Sequence, residues 1–162
     1  MTNPTSDGRL ARLISTWFGC GYAPVAPGTA GSLAALAIAV GLQYFAGLAP
    51  WHFGVLAAAG FAPGVWAATR TARALQTKDP GIVVVDEVLG QWITLAAAEG
   101  LVWWQYLAAF VLFRLFDIWK PPPVRQLEAL PRGLGIVADD VMAGIYGAAV
   151  LFVMEHVLRL HG

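Results

Sequence analysis

FRLFDIWKPPP (113–123) decides how this chain is read. It closes a segment that carries no charge from residue 100 to residue 113, then sets Arg114, Asp117 and Lys120 at three-residue steps on one side of a helix. Pro121, Pro122 and Pro123 stop that helix. A cation, an anion and a second cation on one face could grip a metal-bound phosphate. They could equally be local salt bridges where a membrane helix leaves the bilayer. Two further acidic pairs, Asp86–Glu87 and Asp139–Asp140, also interrupt apolar segments, and a single site would account for all three.

Composition sets the class. Of 162 residues, 58% are hydrophobic and 12% charged, about half the charged share of an ordinary soluble domain. Eighteen Gly and seven Trp suit a helical membrane protein, in which Gly is frequent and Trp marks the interfaces. A net charge of zero offers nothing to a nucleic acid. The lone Cys20 excludes an internal disulfide. The first eight residues are polar and the first apolar run lacks a small-residue cleavage site, so no cleavable signal is expected. The reading is one all-α domain over 1–162: a polytopic helical membrane protein with four to five membrane-embedded helices and a short N-terminal amphipathic helix.

Residues 1–8 read as a disordered lead. RLARLISTWF (9–18) has apolar residues at helical spacing beside Arg9 and Arg12, which suits a helix lying on an anionic membrane surface. GCGYAPVAPGTAGS (19–32) is too rich in Gly and Pro for a regular element and reads as a loop, with Thr29 or Ser32 as N-cap of the helix that follows. Expected embedded segments are 31–48, 51–69, 82–98, 101–119 and 136–158, with a polar loop over 121–135. Arg9 and Arg12, then Arg70, Arg73 and Lys78, then Lys120, Arg125 and Arg132 fall at alternate ends of these segments, while the turns at Pro50 and Gly100 have no basic residue. The positive-inside bias makes the basic ends cytoplasmic, with Arg159 an exception. The three charged blocks and the loop at 26–29 then share one depth.

Carboxylates at that depth need a reason. Each acid costs roughly 2.5–3.5 kcal/mol at the bilayer centre and less toward the interface. Five of them would repel one another, and Arg114 and Lys120 supply only two opposing charges. A divalent cation is the simplest remainder, and oxygen ligands without His or Cys favour Mg²⁺ or Mn²⁺ over zinc. Gly90 and Gly144, each one turn beyond an acid, leave room for a ligand or for close helix packing, and Ala143 with Gly147 reads as a packing pair. The stretch from Pro27 to Ser32 is either a phosphate cradle at a helix N-terminus or a plain cap. His52, His156 and His161 read as bystanders.

Four blocks carry a resemblance: GYAPVAPGTAGSL (21–33), VDEVLGQWITL (85–95), FRLFDIWKPPPVR (113–125) and GLGIVADDVMAG (133–144). In this order they resemble the phosphatidylglycerophosphatase A family over most of the chain. The resemblance implies a Mg²⁺-dependent enzyme of the bacterial inner membrane, its site facing the cytoplasm. Such an enzyme hydrolyses phosphatidylglycerophosphate to phosphatidylglycerol and inorganic phosphate, the last step of phosphatidylglycerol synthesis. By motif it carries over Pro27, Gly28, Thr29, Gly31 and Ser32 to the substrate, and Asp86, Glu87, Asp139 and Asp140 to the metal. Arg114, Asp117 and Lys120 go to catalysis, with Gly90, Pro121 and Gly135 among the motif positions. The chain departs from the family pattern at Pro122, usually aromatic, at Arg132, usually Gly, and at Val137, usually Met.

The mechanism expected from these residues is phosphoryl transfer by charge neutralisation and in-line positioning. Arg114 and Lys120, with Thr29 and Ser32, would hold the terminal phosphate, and Asp117 would orient the attacking water or act as base. An aspartyl-phosphate route stays open. Cys20 is not followed by a Cys-x₅-Arg loop, and no His stands among the charged blocks, which removes two other phosphatase chemistries. The rival class is an ion-coupled transporter or a lipid-binding accessory subunit; a transporter would place its acids near the bilayer midplane in an internal repeat.

Overall fold

The computed structural model describes residues 6–161, without the side chain of His161, and all regular structure among them is helical. The main helices are α1 (Ser6–Ser15), α2 (Pro27–Ala46), α3 (Pro50–Leu75), α4 (Val85–Leu95), α5 (Trp103–Trp119), α6 (Val124–Leu127) and α7 (Gly133–His161), with one 3-10 turn at Cys20–Tyr22. Ser6, Asp7 and Gly8 open α1, so part of the expected disordered lead is helix; residues 1–5 lie outside the described residues. The expected 19–32 loop is also shorter. Pro27 takes the first helical position of α2, where its missing N–H costs nothing, and Ala26 rather than Thr29 or Ser32 is the N-cap.

At the centre stands α4, packed against α2, α3, α5 and α7, with all but Glu87 and Ile93 of its eleven residues buried. Small residues admit it. A Cβ on Gly60 of α3 would lie 2.8 Å from Leu89, and one on Gly144 of α7 would lie 2.4 Å from the carbonyl oxygen of Gly90. The Thr94 hydroxyl stitches the α4–α7 seam, 3.1 Å from Gly144 O and 3.2 Å from Gly90 O. Gly90 and Gly144 therefore serve packing, the second of the two uses the sequence allowed them.

Segment 82–98 departs from expectation. Eleven residues rise about 16 Å, roughly half the hydrocarbon thickness, so α4 does not span. The backbone after it is satisfied from neighbouring helices instead: Gln43 donates to Leu101 O at 3.1 Å, and Val102 N donates to Gln105 Oε1 at 2.8 Å. By length and composition, two helices among the described residues could cross a membrane, α2 and the Gly133–Leu160 part of α7. Segment 101–119 yields a helix of 17 residues, and 51–69 lies inside α3, whose last turns carry Arg70 and Arg73. Four to five spans are thus more than this structure carries by that measure. Exposed aromatics gather at both ends of the bundle: Tyr44, Phe45, Trp51 and Trp103 at one, Phe18 and Trp119 at the other. Arg159, out of pattern with the other basic residues, is ion-paired to Glu99.

Candidate active site

Three pinning contacts fix where α4 begins. Gly21 lies so close to the carbonyl of Ile82 that a Cβ there would collide with it. Val84 N donates to Ser15 O at 2.8 Å, and the Ser15 and Thr71 hydroxyls bond at 2.8 Å, tying α1 to α3. Gly31 fits against Val84, where a Cβ would approach to 2.9 Å. The first turn of α4 is thereby held beside the first turn of α2, and its two acids, Asp86 and Glu87, come next.

Asp86, Glu87 and Asp140 each offer one carboxylate oxygen to a group lying within 4.8 Å. The oxygens Asp86 Oδ1, Glu87 Oε2 and Asp140 Oδ2 are buried, and none has a hydrogen-bond partner among the described residues. A buried anionic oxygen without a partner is costly, and three together are costlier still. Such a set of hard oxygen donors fits a cation of the Mg²⁺ class. Asp139 takes a different place: its Oδ2 accepts from Lys120 Nζ at 2.7 Å and its Oδ1 from Asp140 N at 3.1 Å.

The cations are engaged as well. Arg114 Nη1 lies 2.6 Å from Asp117 Oδ2 one turn along α5, and Asp117 is among the nearest charges to Asp140. Lys120 ends α5 in the left-handed conformation (φ 48°) and also reaches Glu128 at 3.3 Å. Burial works to lower the Lys120 pKa, but its bonds to Asp139 and Glu128 outweigh this and hold the ammonium above its usual value.

Of the positions expected to bind substrate, Gly28 is the one built into the site. A Cβ there would stand 2.1 Å from Glu87 Oε1 and 3.3 Å from Arg114 Nη1. Pro27 and Thr29 share this first turn, whose amides have no partner within the helix. The Ser32 hydroxyl donates to Gly28 O at 3.1 Å, and Gly31 packs on Val84. Gly28→Ala should therefore displace the Glu87 carboxylate, which sits at the end of a flexible side chain, without disturbing the backbone. Turnover is expected to fall roughly 10- to 100-fold with the thermal midpoint unchanged, since about 1 Å of misplacement can cost that much. Steady-state rates alongside a melting curve check it.

A cavity of about 90 Å³ opens onto these groups, lined by Asp86, Asp117, Lys120, Asp139 and Asp140 together with four charged residues that the sequence reading did not assign to the site: Lys78, Asp79, Glu128 and Arg132. They sit in loops, where no periodicity marks them. Loss of water at the cavity raises the Asp79 carboxyl above its usual range; Lys120 opposes this and Glu128 and Asp117 add to it.

The sequence profile of the phosphatidylglycerophosphatase A family matches residues 13–155. A protein of Escherichia coli named phosphatidylglycerophosphatase A is 37% identical over 146 residues, covering 89% of this chain and 83% of its own. Its namesake in Haemophilus influenzae is 41% identical over 145 residues, 89% and 88% of the two chains. A Bacteroides thetaiotaomicron protein named "Putative phosphatidylinositol-3-phosphatase" is 41% identical over 154 residues, 92% and 96% of the two chains. No solved structure matches. With the matched region holding every charged group of the site, the chain belongs to the phosphatidylglycerophosphatase A family.

Proposed function

We propose that this protein is a Mg²⁺-dependent lipid phosphatase that converts phosphatidylglycerophosphate to phosphatidylglycerol and inorganic phosphate, the last step of phosphatidylglycerol synthesis. The observation that carries the reading is the set of three unpartnered carboxylate oxygens, from Asp86, Glu87 and Asp140, beside Arg114 and Lys120 in a chain of this family. The names of its relatives describe lipids of one chemical type. Phosphatidylglycerophosphate and phosphatidylinositol 3-phosphate each carry a phosphodiester next to the diacylglycerol and a phosphomonoester further out. The monoester is the group to be removed.

In this reading Asp86, Glu87 and Asp140 hold Mg²⁺, which when bound neutralises charge on a phosphoryl group and activates water. Arg114 and the first turn of α2 at Gly28 and Thr29 face the terminal phosphate from one side, and Lys120 from another. Asp117, paired to Arg114 and close to Asp140, orients the attacking water or takes its proton. Asp139 acts through Lys120, holding the ammonium in the cavity.

The site lies at the bundle end that collects Arg70, Arg73, Lys78, Arg125 and Arg132, which supports a cytoplasmic orientation in a bacterial inner membrane. The acyl chains stay in the bilayer while the headgroup enters. Purified protein in detergent should release phosphate from phosphatidylglycerophosphate with Mg²⁺ and stop with EDTA. Equal release under both conditions would remove the metal from the reading, and no release under either would remove the reaction.

A further inference from the structure

Beside the carboxylate cavity lies a wider groove of about 320 Å³, formed where the end of α3 meets the start of α7. Its lining presents a mostly apolar surface and includes Arg73, Lys78 and Arg132, with Thr69, Ala72 and Thr77, and no carboxylate. Lys78 and Arg132 line both cavities, so they stand at the boundary between them. Among the described residues the ion pairs formed leave Arg73, Lys78 and Arg132 outside them, in contrast to Arg114 and Lys120.

The backbone at Arg132 is unusual. Its φ is +61°, the left-handed region in which an L side chain is strained. Local packing imposes that shape. Gly133 is pressed against α3, where a Cβ would meet Val65 O at 2.4 Å, and its N–H donates to the Thr69 hydroxyl at 3.1 Å. The chain must turn sharply into α7 at this contact, and it does so with a guanidinium rather than a hydrogen at the turning residue. A strained residue whose side chain lines two cavities and enters no ion pair is a candidate for ligand contact.

We propose that this groove is a second anion subsite, which takes the phosphodiester of the lipid while the carboxylate cavity takes its terminal phosphate. The proposal rests on the lipid-phosphatase reading above and adds to it a basis for choosing two-phosphate lipids. Arg132 and Lys78 contact the diester at the boundary, and Arg73 closes the outer side. The short polyol between the two phosphates crosses from one cavity to the other. A phosphodiester carries one negative charge at neutral pH and needs no metal, which suits three cations beside a mostly apolar groove that has no carboxylate.

The test uses full-length protein in detergent and short-chain phosphatidylglycerol, which has the diester and lacks the monoester. Wild type should bind it and be inhibited by it competitively against phosphatidylglycerophosphate. Arg132→Gly and Lys78→Gln should each weaken that binding roughly tenfold or more, and the thermal midpoint of R132G should hold or rise because the strain at 132 is relieved. Binding unchanged in both variants, or lost in R132G only together with a lowered midpoint, overturns the proposal. Binding without competition assigns the groove to bulk anionic lipid and overturns it too. Wild type that binds phosphatidylglycerol yet releases no phosphate refutes the enzymatic function instead, so the two failures are separable.

Discussion

Replacing Asp86 or Asp140 by Asn is expected to lower Mg²⁺-dependent phosphate release by roughly 1,000-fold or more, the scale on which preorganised charge at a phosphoryl centre acts. Asn keeps the volume and removes the charge, so the helices should pack as before. The folded state should even gain, because each of these acids leaves a buried oxygen without a partner among the described residues. Taking one charge out of a crowded anionic group relieves repulsion. The expected signature is thus an inactive protein that melts no lower than wild type without added Mg²⁺ and has lost the rise in midpoint that Mg²⁺ gives wild type. Rates near wild type in either variant would remove the cation from these three residues. A loss of activity that came with a lowered midpoint would point to a structural role instead.

The second large effect concerns a residue with no chemistry of its own. Gly144→Ala puts a methyl group 2.4 Å from the carbonyl oxygen of Gly90 and 3.0 Å from its Cα. Those are backbone atoms of a buried helix and cannot swing aside. The seam between α4 and α7 must open, which costs about 1–3 kcal/mol or more for overpacking. Opening it also breaks the bridge from Thr94 and moves Asp140, on α7, away from Asp86 and Glu87, on α4. Stability and turnover should fall together, in contrast to Gly28→Ala, where turnover alone falls. A chemical melt of the purified variant beside its rate distinguishes the two. A G144A protein as stable as wild type would mean that the seam is looser than its geometry.

Particular residues explain what was legible in the sequence and what was not. Arg114, Asp117 and Lys120 could be placed on one helix side because the helical period is fixed and the prolines mark its end. The convergence of the acidic blocks followed from the alternation of basic ends, a bias that acts across the whole chain. The length of α4 was not legible. An apolar stretch from 82 to 98 looks the same whether it spans lipid or is buried among other helices, and only tertiary packing separates the two. The start of α2 was missed for a local reason: Ala26 takes a left-handed conformation that its side chain gives no hint of, while Thr29 and Ser32 look like caps. Splitting Asp139 from Asp140 needed coordinates as well. Adjacent residues on a helix point about 100° apart, so one faces Asp86 and Glu87 and the other Lys120, but which does which depends on how α7 is rotated. Lys78 and Arg132 count as basic ends, Arg132 also as a departure from the family pattern, and Asp79 goes unread, because a loop charge has no periodicity that aims it at a site.

The pairing of Arg114 with Asp117, and of Lys120 with Asp139 and Glu128, has a consequence for traffic through the pocket. An arriving anion meets these cations already neutralised and has to displace a carboxylate that is tethered and ready to return. Entry is then an exchange of partners, nearly level in free energy, instead of a fall into a positive well. The same tethered carboxylates push a departing anion out, which favours rapid clearance over tight retention.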